Sequence, residues 1–590
     1  VNIANVATSA ITFTSDDITT SYTGLGNSTD LNIDQGAGLT IDGAILAETG
    51  STLDAVKVTG TKDFTTTGAI TAASLTVAGE DIVLETNTTS AGVALTASKS
   101  VDLQEVLAAT DNASSLTIDA GTTVTLDDNI GASGTEIGNV SITAGTAFSG
   151  GDTASTMDIN GTLSISAGTT VRIGDSADVA TTGAISVVAG STNTIDGDLV
   201  SAAGGITVTG GTTVTQEAAG AITATTGDVT ITAGTTYTAG AAVTASAGDV
   251  FISAVSSDIN ADISGTNIKI TGSSTTTATN VQSLTGAVTL IGDGHTFTFD
   301  ATDSITGNLI VAGDAILDMD QSTNLMTGSV THTGAGSVSL TDLAGDYIGG
   351  TATGAVTIGD TAAGADSIVT GSGADSITTG DVEAAIVTGA GNDTVDASGV
   401  TTTTNMVSIN TGAGNDTITA GRAVDDVITG GSGTDTLIIT DDTYSAFTER
   451  FVDFEVGSAG DILSFDVSAM DSIASTAGVT STTLTKVDTT DSTATTFADT
   501  QLIVLTGTQY ADVAAVTTAL NGSSGVSGTV DADDDGIIVI FADTDGHSYV
   551  TTFEGDGSGD FSGTDAEILR LDGLTHTDLA NLTQDNFVIA

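Results

Sequence analysis

The chain has 590 residues, with 74 acidic and 9 basic side chains, a formal charge of −65, and no Cys, Pro or Trp. Charged residues make up only 14% and hydrophobic residues 39%, which excludes a disordered acidic tail and leaves enough aliphatic side chains for a core. Scarce Lys and Arg argue against a nucleic-acid partner, and no apolar run approaches the ~18 residues of a membrane span. The acidic excess needs counter-ions, and oxygen-binding divalent cations such as Ca²⁺ are the obvious ones.

Residues 1–355 are predicted to form a Thr-, Ala- and Gly-rich β-solenoid. Alternating apolar residues predict strands, as in LTIDAGTTVTLDD and GDVTITAG. Gly-Thr-Thr corners recur at Gly121, Gly168, Gly211 and Gly234, spaced by multiples of a unit a little above 20 residues, which is typical of a stacked parallel β-helix. The lack of Pro fits strands that are paired on both sides. A string of β-sandwich domains is the alternative for this region.

Residues 356–440 repeat a nine-residue frame in which two glycines precede an aspartate and an aliphatic residue follows two positions later. Gly permits positive φ, so such a turn can direct carbonyl oxygens and the carboxylate to one point, and Ca²⁺ binds about six to eight oxygens. One frame would form half a coil. Ordinary Gly-Asn-Asp turns without metal are the alternative. The candidate metal-binding residues are Asp366, Gly371, Gly373, Asp375, Gly389, Gly391, Asp393, Gly412, Gly414, Asp416, Gly431, Gly433 and Asp435.

This frame resembles the RTX repeat, whose family forms calcium-loaded parallel β-rolls. The match is imperfect, because only Gly430–Gly431 supplies the double glycine of that repeat, and Thr or Ala takes the first position elsewhere. The resemblance implies several calcium ions held between coils. Calcium binding and folding of this region would then be one event, because aligned carboxylates repel one another without the ion.

Residues 441–590 are predicted to form a separate β-rich domain. The segment TQYADVAAVTTALNG predicts a short helix, while GIIVIFAD and SYVTTFEG predict two strands joined by an Asp-Gly turn. The RTX resemblance also implies an uncleaved type I secretion signal here, and the final DNFVIA has its acidic-then-apolar ending. A last strand that packs on its own domain is the alternative, and the two are compatible.

Two other patterns suggest binding surfaces. Asp531, Asp533 and Asp535 resemble the first half of an EF-hand loop, but Ala542 replaces its final Glu, so an isolated calcium loop and a plain hairpin turn both stay open. Threonine-rich runs such as TNTTS and TSTTLTKVDTTDSTATT suggest an ice-binding or adhesive surface. Their irregular spacing in the sequence favours ordinary outward strand positions instead.

Candidate catalytic groups are sparse. The four His are far apart in the sequence, HExxH and GxSxG are absent, and there is no thiol. We therefore expect no enzyme, with a polysaccharide-acting enzyme as a weaker alternative. The sequence is most similar to bacterial surface-layer proteins of the RTX kind. That resemblance implies an extracellular cell-surface protein that assembles with calcium into a lattice of its own copies, with a cell-surface polysaccharide as a further partner, and an RTX adhesin as the alternative.

Overall fold

The structure is a computed structural model that divides into two compact units, Val1–Thr306 and Gly307–Ala590. The predicted all-β parallel β-solenoid is confirmed. The residues that the structure describes are 11–15, 18–19, 22–25, 30–35, 39–41, 45–47, 53–67, 69–85, 88–90, 92–109, 113–131, 135–151, 155–175, 177–274, 279–281, 283–299, 303–319, 325–326, 328–359, 367–402, 404–421, 426–440, 449–466, 484–488, 495–497, 502–521, 526–528, 536–554, 561 and 567–589.

The first unit is a solenoid whose coils run through three stacks of parallel strands, A, B and C, and strands of neighbouring coils pair within each stack. Three long strands, Ile70–Gly79, Ile263–Thr271 and Leu284–Phe299, continue from one stack into the next. Stack A contains Ile11–Ser15, Asp30–Gln35, Leu53–Gly60, Ile70–Gly79, Gly92–Ala97, Ser115–Ala120, Val140–Ala144, Leu163–Ala167, Ile185–Ala189, Ile206–Gly210, Val229–Ala233, Val250–Ser253, Ile263–Thr271 and Leu284–Phe299. Stack B contains Ile18–Thr19, Leu39–Ile41, Phe64–Thr66, Ile82–Leu84, Val101–Leu103, Thr123–Leu126, Ala147–Gly150, Thr170–Ile173, Thr192–Ile195, Thr213–Gln216, Thr236–Ala239, Ser256–Ile259 and Thr279–Val281. Stack C contains Tyr22–Leu25, Ile45–Ala47, Thr88–Ser90, Leu107–Ala109, Ser155–Ile159, Ala177–Thr181, Leu199–Ser201, Ile222–Ala224, Val243–Ala245 and Ile305–Thr306.

Alternation along each strand determines what is buried in these coils. In Leu163–Ala167 the first, third and fifth side chains are buried and the second and fourth are exposed, and neighbouring coils bury the same three positions. Corner glycines such as Gly168 and Gly190 separate stack A from stack B, and a Cβ at either would overlap the carbonyl of the corner glycine one coil earlier. These glycines therefore permit the close stacking of the coils.

The second unit contains coils with two strands, which form stacks D and E. Stack D contains Val330–His332, Tyr347–Ile348, Ser367–Val369, Ala384–Val387, Val407–Ala413, Val427–Ser432, Glu449–Phe451 and Glu567–Leu571. Stack E contains Val338–Leu340, Val356–Ile358, Ser376–Thr378, Thr394–Asp396, Thr417–Thr419, Thr436–Ile439, Ile462–Phe465 and Phe587–Ile589. Leu309–Met319 pairs with the first strand of each stack, and Leu325–Met326 pairs with Asp342–Leu343.

The chain leaves the coils after Phe465 and returns to them at Glu567. In the described ranges between these two points it forms strands Leu484–Asp488, Thr495–Phe497, Leu502–Thr506, Val526–Gly528, Gly536–Ala542 and Ser548–Glu554, and the α-helix Val513–Leu520. The 3₁₀ turns Leu579–Asn581 and Gln584–Asn586 lie between Glu567–Leu571 and the final strand. The predicted helix and hairpin are confirmed: the Asp512 carboxylate caps the helix at the Ala515 N–H, and the two hairpin strands pair antiparallel. The final strand packs on the last coil, as one of the two sequence interpretations expected.

Candidate metal site: an aspartate column

The glycine–aspartate frames lie in the turns that lead from stack D to stack E. In each of these coils the aspartate immediately precedes the stack E strand, as Asp393 precedes Thr394–Asp396. Because every coil repeats this turn, Asp375, Asp393, Asp416 and Asp435 stack into one column, with side chains 0–2% exposed. The sequence prediction that one frame is half a coil is correct, since the equivalent aspartates are 18, 23 and 19 residues apart.

A hydrogen-bond ladder joins the aspartates from coil to coil. The N–H of Asp375 donates to Oδ1 of Asp393 (2.9 Å), and the N–H of Asp393 donates to Oδ1 of Asp416 (2.8 Å). The next step runs from the Asp416 N–H to Oδ1 of Asp435 (3.0 Å). Each Oδ1 therefore satisfies one backbone donor of the preceding coil, which fixes both the rotamer of the carboxylate and the register of the coils.

The second carboxylate oxygens are less well satisfied. No described residue donates a well-directed hydrogen bond to Oδ2 of Asp393, Asp416 or Asp435, although all three atoms are buried. The Thr388 hydroxyl lowers the pKa of Asp393 in part, but it donates its proton to the Thr411 carbonyl. Burial raises the pKa of Asp435 to about 6, with the neighbouring carboxylates adding to the effect, and it also raises the pKa of Asp393. A buried carboxylate without a partner is costly, so this column favours either bound protons or a bound cation.

Two glycines in each full turn have positive φ. The angles are +97° and +145° at Gly389 and Gly391, and +93° and +145° at Gly412 and Gly414. Gly431 and Gly433 repeat the pair at +99° and +142°. These angles disfavour other residues, and a Cβ at any of the six would also overlap a carbonyl of the preceding coil.

The first frame differs from the other three. Gly371 and Gly373 do not have positive φ, although their sequence matches the later frames. Oδ2 of Asp375 also lies 2.5 Å from the Thr370 hydroxyl, so this carboxylate has a donor on each oxygen, with Val356 N–H on Oδ1. Burial nevertheless raises the pKa of Asp375 to about 6.

Threonine takes the position where the RTX repeat has its first glycine. The hydroxyl of Thr388 donates to the Thr411 carbonyl, and that of Thr411 donates to the Gly430 carbonyl, each at 3.0 Å. At Gly430 this position has no side chain, and a Cβ would collide with Oδ2 of Asp435. A side chain at position 430 would therefore displace the Asp435 carboxylate.

Sequence reasoning missed the end of the column. Oδ1 of Asp461 accepts the Asp435 N–H (2.9 Å) and its Oδ2 accepts the Glu455 N–H (2.7 Å), so Asp461 is the fifth member. Burial raises its pKa as well. The sequence does contain a related frame, because GSAGDIL at 457–463 aligns with GSGTDTL at 431–437. Its second glycine stands one position later than in the other frames, which hid the match.

The opposite turns, from stack E to stack D, are satisfied in other ways. Asp426 accepts the N–H groups of Val407 (2.8 Å) and Gly421 (3.1 Å). Asp381 accepts hydrogen bonds from the backbone and hydroxyl groups of Thr401 and Thr402, which hold the pKa of this carboxyl far below its usual range. These carboxylates already have donors, so they have less need of a cation.

The donor set of the column fits a hard cation only in part. Among the described residues, no group of three or more His, Asp or Glu side chains converges on one point. A Ca²⁺ ion would therefore take one or two carboxylate oxygens, from Oδ2 of Asp393, Asp416 or Asp435, and most of its other oxygens from turn carbonyls or water. The carbonyls of Gly371 and Gly389 already accept backbone N–H groups, which leaves each one further lone pair.

The remaining predicted ligands, Asp366, Asp531, Asp533 and Asp535, lie outside the described residues. Ala542, where an EF-hand would have its final Glu, is buried at the end of a strand. The Asp-Gly turn that follows is confirmed: Oδ1 of Asp543 accepts the N–H groups of Asp545 and His547, and Gly546 has φ +97°.

Fold and site together define an all-β protein with stacked parallel coils and a buried carboxylate column. No known family model matches the chain, and a search of curated proteins gives no significant match. In the part of the chain that the structure describes, no helix is long and apolar enough to cross a membrane.

Proposed function

We propose that this chain is a secreted, calcium-dependent structural protein of the RTX surface-layer kind, which assembles with copies of itself at the bacterial cell surface. The observation that carries the proposal is the aspartate column, in which three buried carboxylate oxygens have no described donor. Calcium would supply the positive charge that these carboxylates need. Asp393, Asp416 and Asp435 would hold it, together with carbonyls of the adjacent glycine turns.

The net charge of −65 supports the same proposal at longer range. Copies that carry this charge repel one another, and only 9 basic side chains are available to form ion pairs between them. Divalent cations that bridge acidic faces would allow neighbouring copies to pack. A cell-surface polysaccharide is the proposed attachment partner, and we propose no catalytic activity. The β-solenoid is also consistent with an adhesin, which would fold with calcium but would not form a lattice.

Negative-stain electron microscopy with calcium and with chelator tests the assembly. We expect ordered sheets or filaments only with calcium, and we expect Asp393→Ala plus Asp416→Ala to weaken them while leaving secretion largely intact. The matched control is Asp119→Ala plus Asp258→Ala, which removes the same charge from exposed strand positions of the first unit. Normal lattices from the Asp393→Ala plus Asp416→Ala variant would show that assembly does not require the aspartate column. Dispersed single particles in both conditions would refute the surface-layer proposal and leave the adhesin, to be tested by glycan binding.

A further inference from the structure

Stack B of the first unit carries a column of hydroxyl groups at its corners. One residue from each of six consecutive coils lies beside the corner glycine, and the N–H of each of the later five donates to the carbonyl of its equivalent one coil earlier. The six residues are Thr122, Thr146, Thr169, Ser191, Thr212 and Thr235. Their spacing in the sequence varies because the coils differ in length, but their spacing in space is one coil, about 4.8 Å.

Two further columns run beside the first on the strands from Thr123–Leu126 to Thr236–Ala239. The first and third residues of each strand point outward, while the second and fourth are buried. Parallel pairing without a register shift aligns these outward positions across all six strands. All of them carry a hydroxyl except Ala147 and Arg172, and outward neighbours on one strand are about 6.7 Å apart. The regular spacing of these hydroxyls in space is hidden in the sequence because the coils differ in length.

The hydroxyl face, as we call these three columns, is also rigid and nearly free of charge. Thr169 and Thr235 donate their hydroxyls to the carbonyls of Thr146 (2.7 Å) and Thr212 (2.8 Å), which fixes the side chains and leaves their oxygens able to accept. Thr is also stiff at χ1. Acidic residues number 74 of 590 in the chain, yet none occupies these positions, and Arg172 is paired with Asp196.

We propose that the hydroxyl face binds ice. An ice surface is an uncharged, rigid, periodic array of hydrogen-bonding oxygens with repeats of a few ångströms, and the hydroxyl face has the same properties. The outward positions of the hydroxyl face carry no carboxylate, which suits a neutral partner. The face measures roughly 400 Å², from six strands about 4.8 Å apart and four residues of about 3.3 Å each, which is about half of what one partner buries in a standard protein interface. A second copy is therefore a poor occupant, and these positions offer no aromatic ring on which a sugar could stack.

The test measures uptake of the full chain into slowly growing ice, together with thermal hysteresis, below the concentration at which it assembles. We expect the wild-type chain to enter the ice and Thr215→Tyr to be largely excluded from it, because a bulky ring at the centre of the face prevents close approach. Thr223→Tyr is the matched control: it makes the same change at an equally half-exposed outward position of stack C, whose column contains Ala180 and Val200, and we expect it to behave like wild type. Thr194→Tyr provides a second variant should Thr215→Tyr fail to fold, which circular dichroism will detect.

Two outcomes would overturn the proposal. The first is exclusion of the wild-type chain from ice. The second is an equal loss of uptake in the Thr215 and Thr223 variants, which would mean that the hydroxyl face is not the surface responsible. If the first outcome comes with retention of the wild-type chain by crystalline cellulose or chitin, or with dimers that form through this face, the face has that other occupant. None of these outcomes depends on the calcium proposal, because the hydroxyl face and the aspartate column lie in different units.

Discussion

At the residue scale, each column aspartate does two separable jobs. Its Oδ1 accepts a backbone N–H from the preceding coil, and in Asp393, Asp416 and Asp435 its Oδ2 brings a buried negative charge that no described donor offsets. Only the first job needs an acceptor oxygen, and only the second needs a charge. Substitutions that keep one and remove the other therefore separate hydrogen bonding from electrostatics.

Asp393→Asn and Asp393→Ala make this separation. In chelator we expect Asp393→Asn to be at least as stable as wild type, because it keeps an oxygen for the Asp375 N–H and removes the charge. Asp393→Ala leaves that N–H unpaired and should be less stable than Asp393→Asn by about 1–3 kcal/mol. Urea unfolding of the three proteins measures the order. Equal stability of the two variants would contradict the ladder.

The raised pKa values of Asp375 and Asp435 give calcium-free protein an unusual pH dependence. Each pKa is about 6 in the fold, against about 4 in an unfolded chain, so the folded state holds these protons more tightly. Their contribution to stability is full below about pH 4 and is lost as the pH rises through about 6. The pKa of Asp381 is lowered instead. The stability that this carboxylate contributes is therefore lost only as the pH falls below this window.

Thermal unfolding in chelator at several pH values tests this expectation. We expect the melting temperature to fall between about pH 4 and 6 and the fall to shrink in Asp435→Asn. Saturating calcium should flatten the curve, because the ion replaces the proton as the source of neutralisation. A melting temperature that rises across this window in chelator would show that the carboxylates are stabilised as anions, which the structure does not predict.

At the scale of the element, the glycine turn determines how closely the coils stack. Gly414 has φ +145°, and a Cβ there would also overlap the Gly391 carbonyl. Gly546 has φ +97°, but no described atom lies within 4 Å of where its Cβ would be. The two glycines therefore share the conformational strain of substitution and differ in the steric clash.

Ala substitution at the two glycines compares these effects. Gly546→Ala should cost about 1–2 kcal/mol from the left-handed backbone alone. Gly414→Ala should cost more than about 3 kcal/mol. Backbone strain alone costs about 1–3 kcal/mol, and the new Cβ also forces two coils apart. Urea unfolding in calcium measures both costs. A similar cost at the two sites would mean that the coils separate easily, contrary to the close stacking of the turns.

The sequence predicted local features well and long-range features poorly. Alternation and corner glycines located the strands, the helix and the turn at Asp543, since these depend on residues a few positions apart. The threonine columns were missed because coils of unequal length disguise a constant spacing in space. The Oδ1 ladder and the membership of Asp461 depend on contacts between residues 18 to 26 positions apart, which only the coil register reveals.

At the scale of the whole molecule, the chain combines a charge of −65 with a buried column of carboxylates. Monovalent salt screens exposed charges over about 10 Å at 0.1 M, but it reaches buried groups poorly. Cations therefore have two separate roles: diffuse screening of the surface, and binding in the column. Only the second role should require a divalent ion.

Thermal unfolding of the full chain during a calcium titration, at constant ionic strength set with NaCl, tests the central claim most directly. We predict that the melting temperature rises with the calcium concentration, as expected for a ligand that binds only the folded state, and that Asp393→Asn plus Asp416→Asn plus Asp435→Asn removes most of the rise. A wild-type melting temperature that is the same in calcium and in chelator would contradict a calcium-binding column.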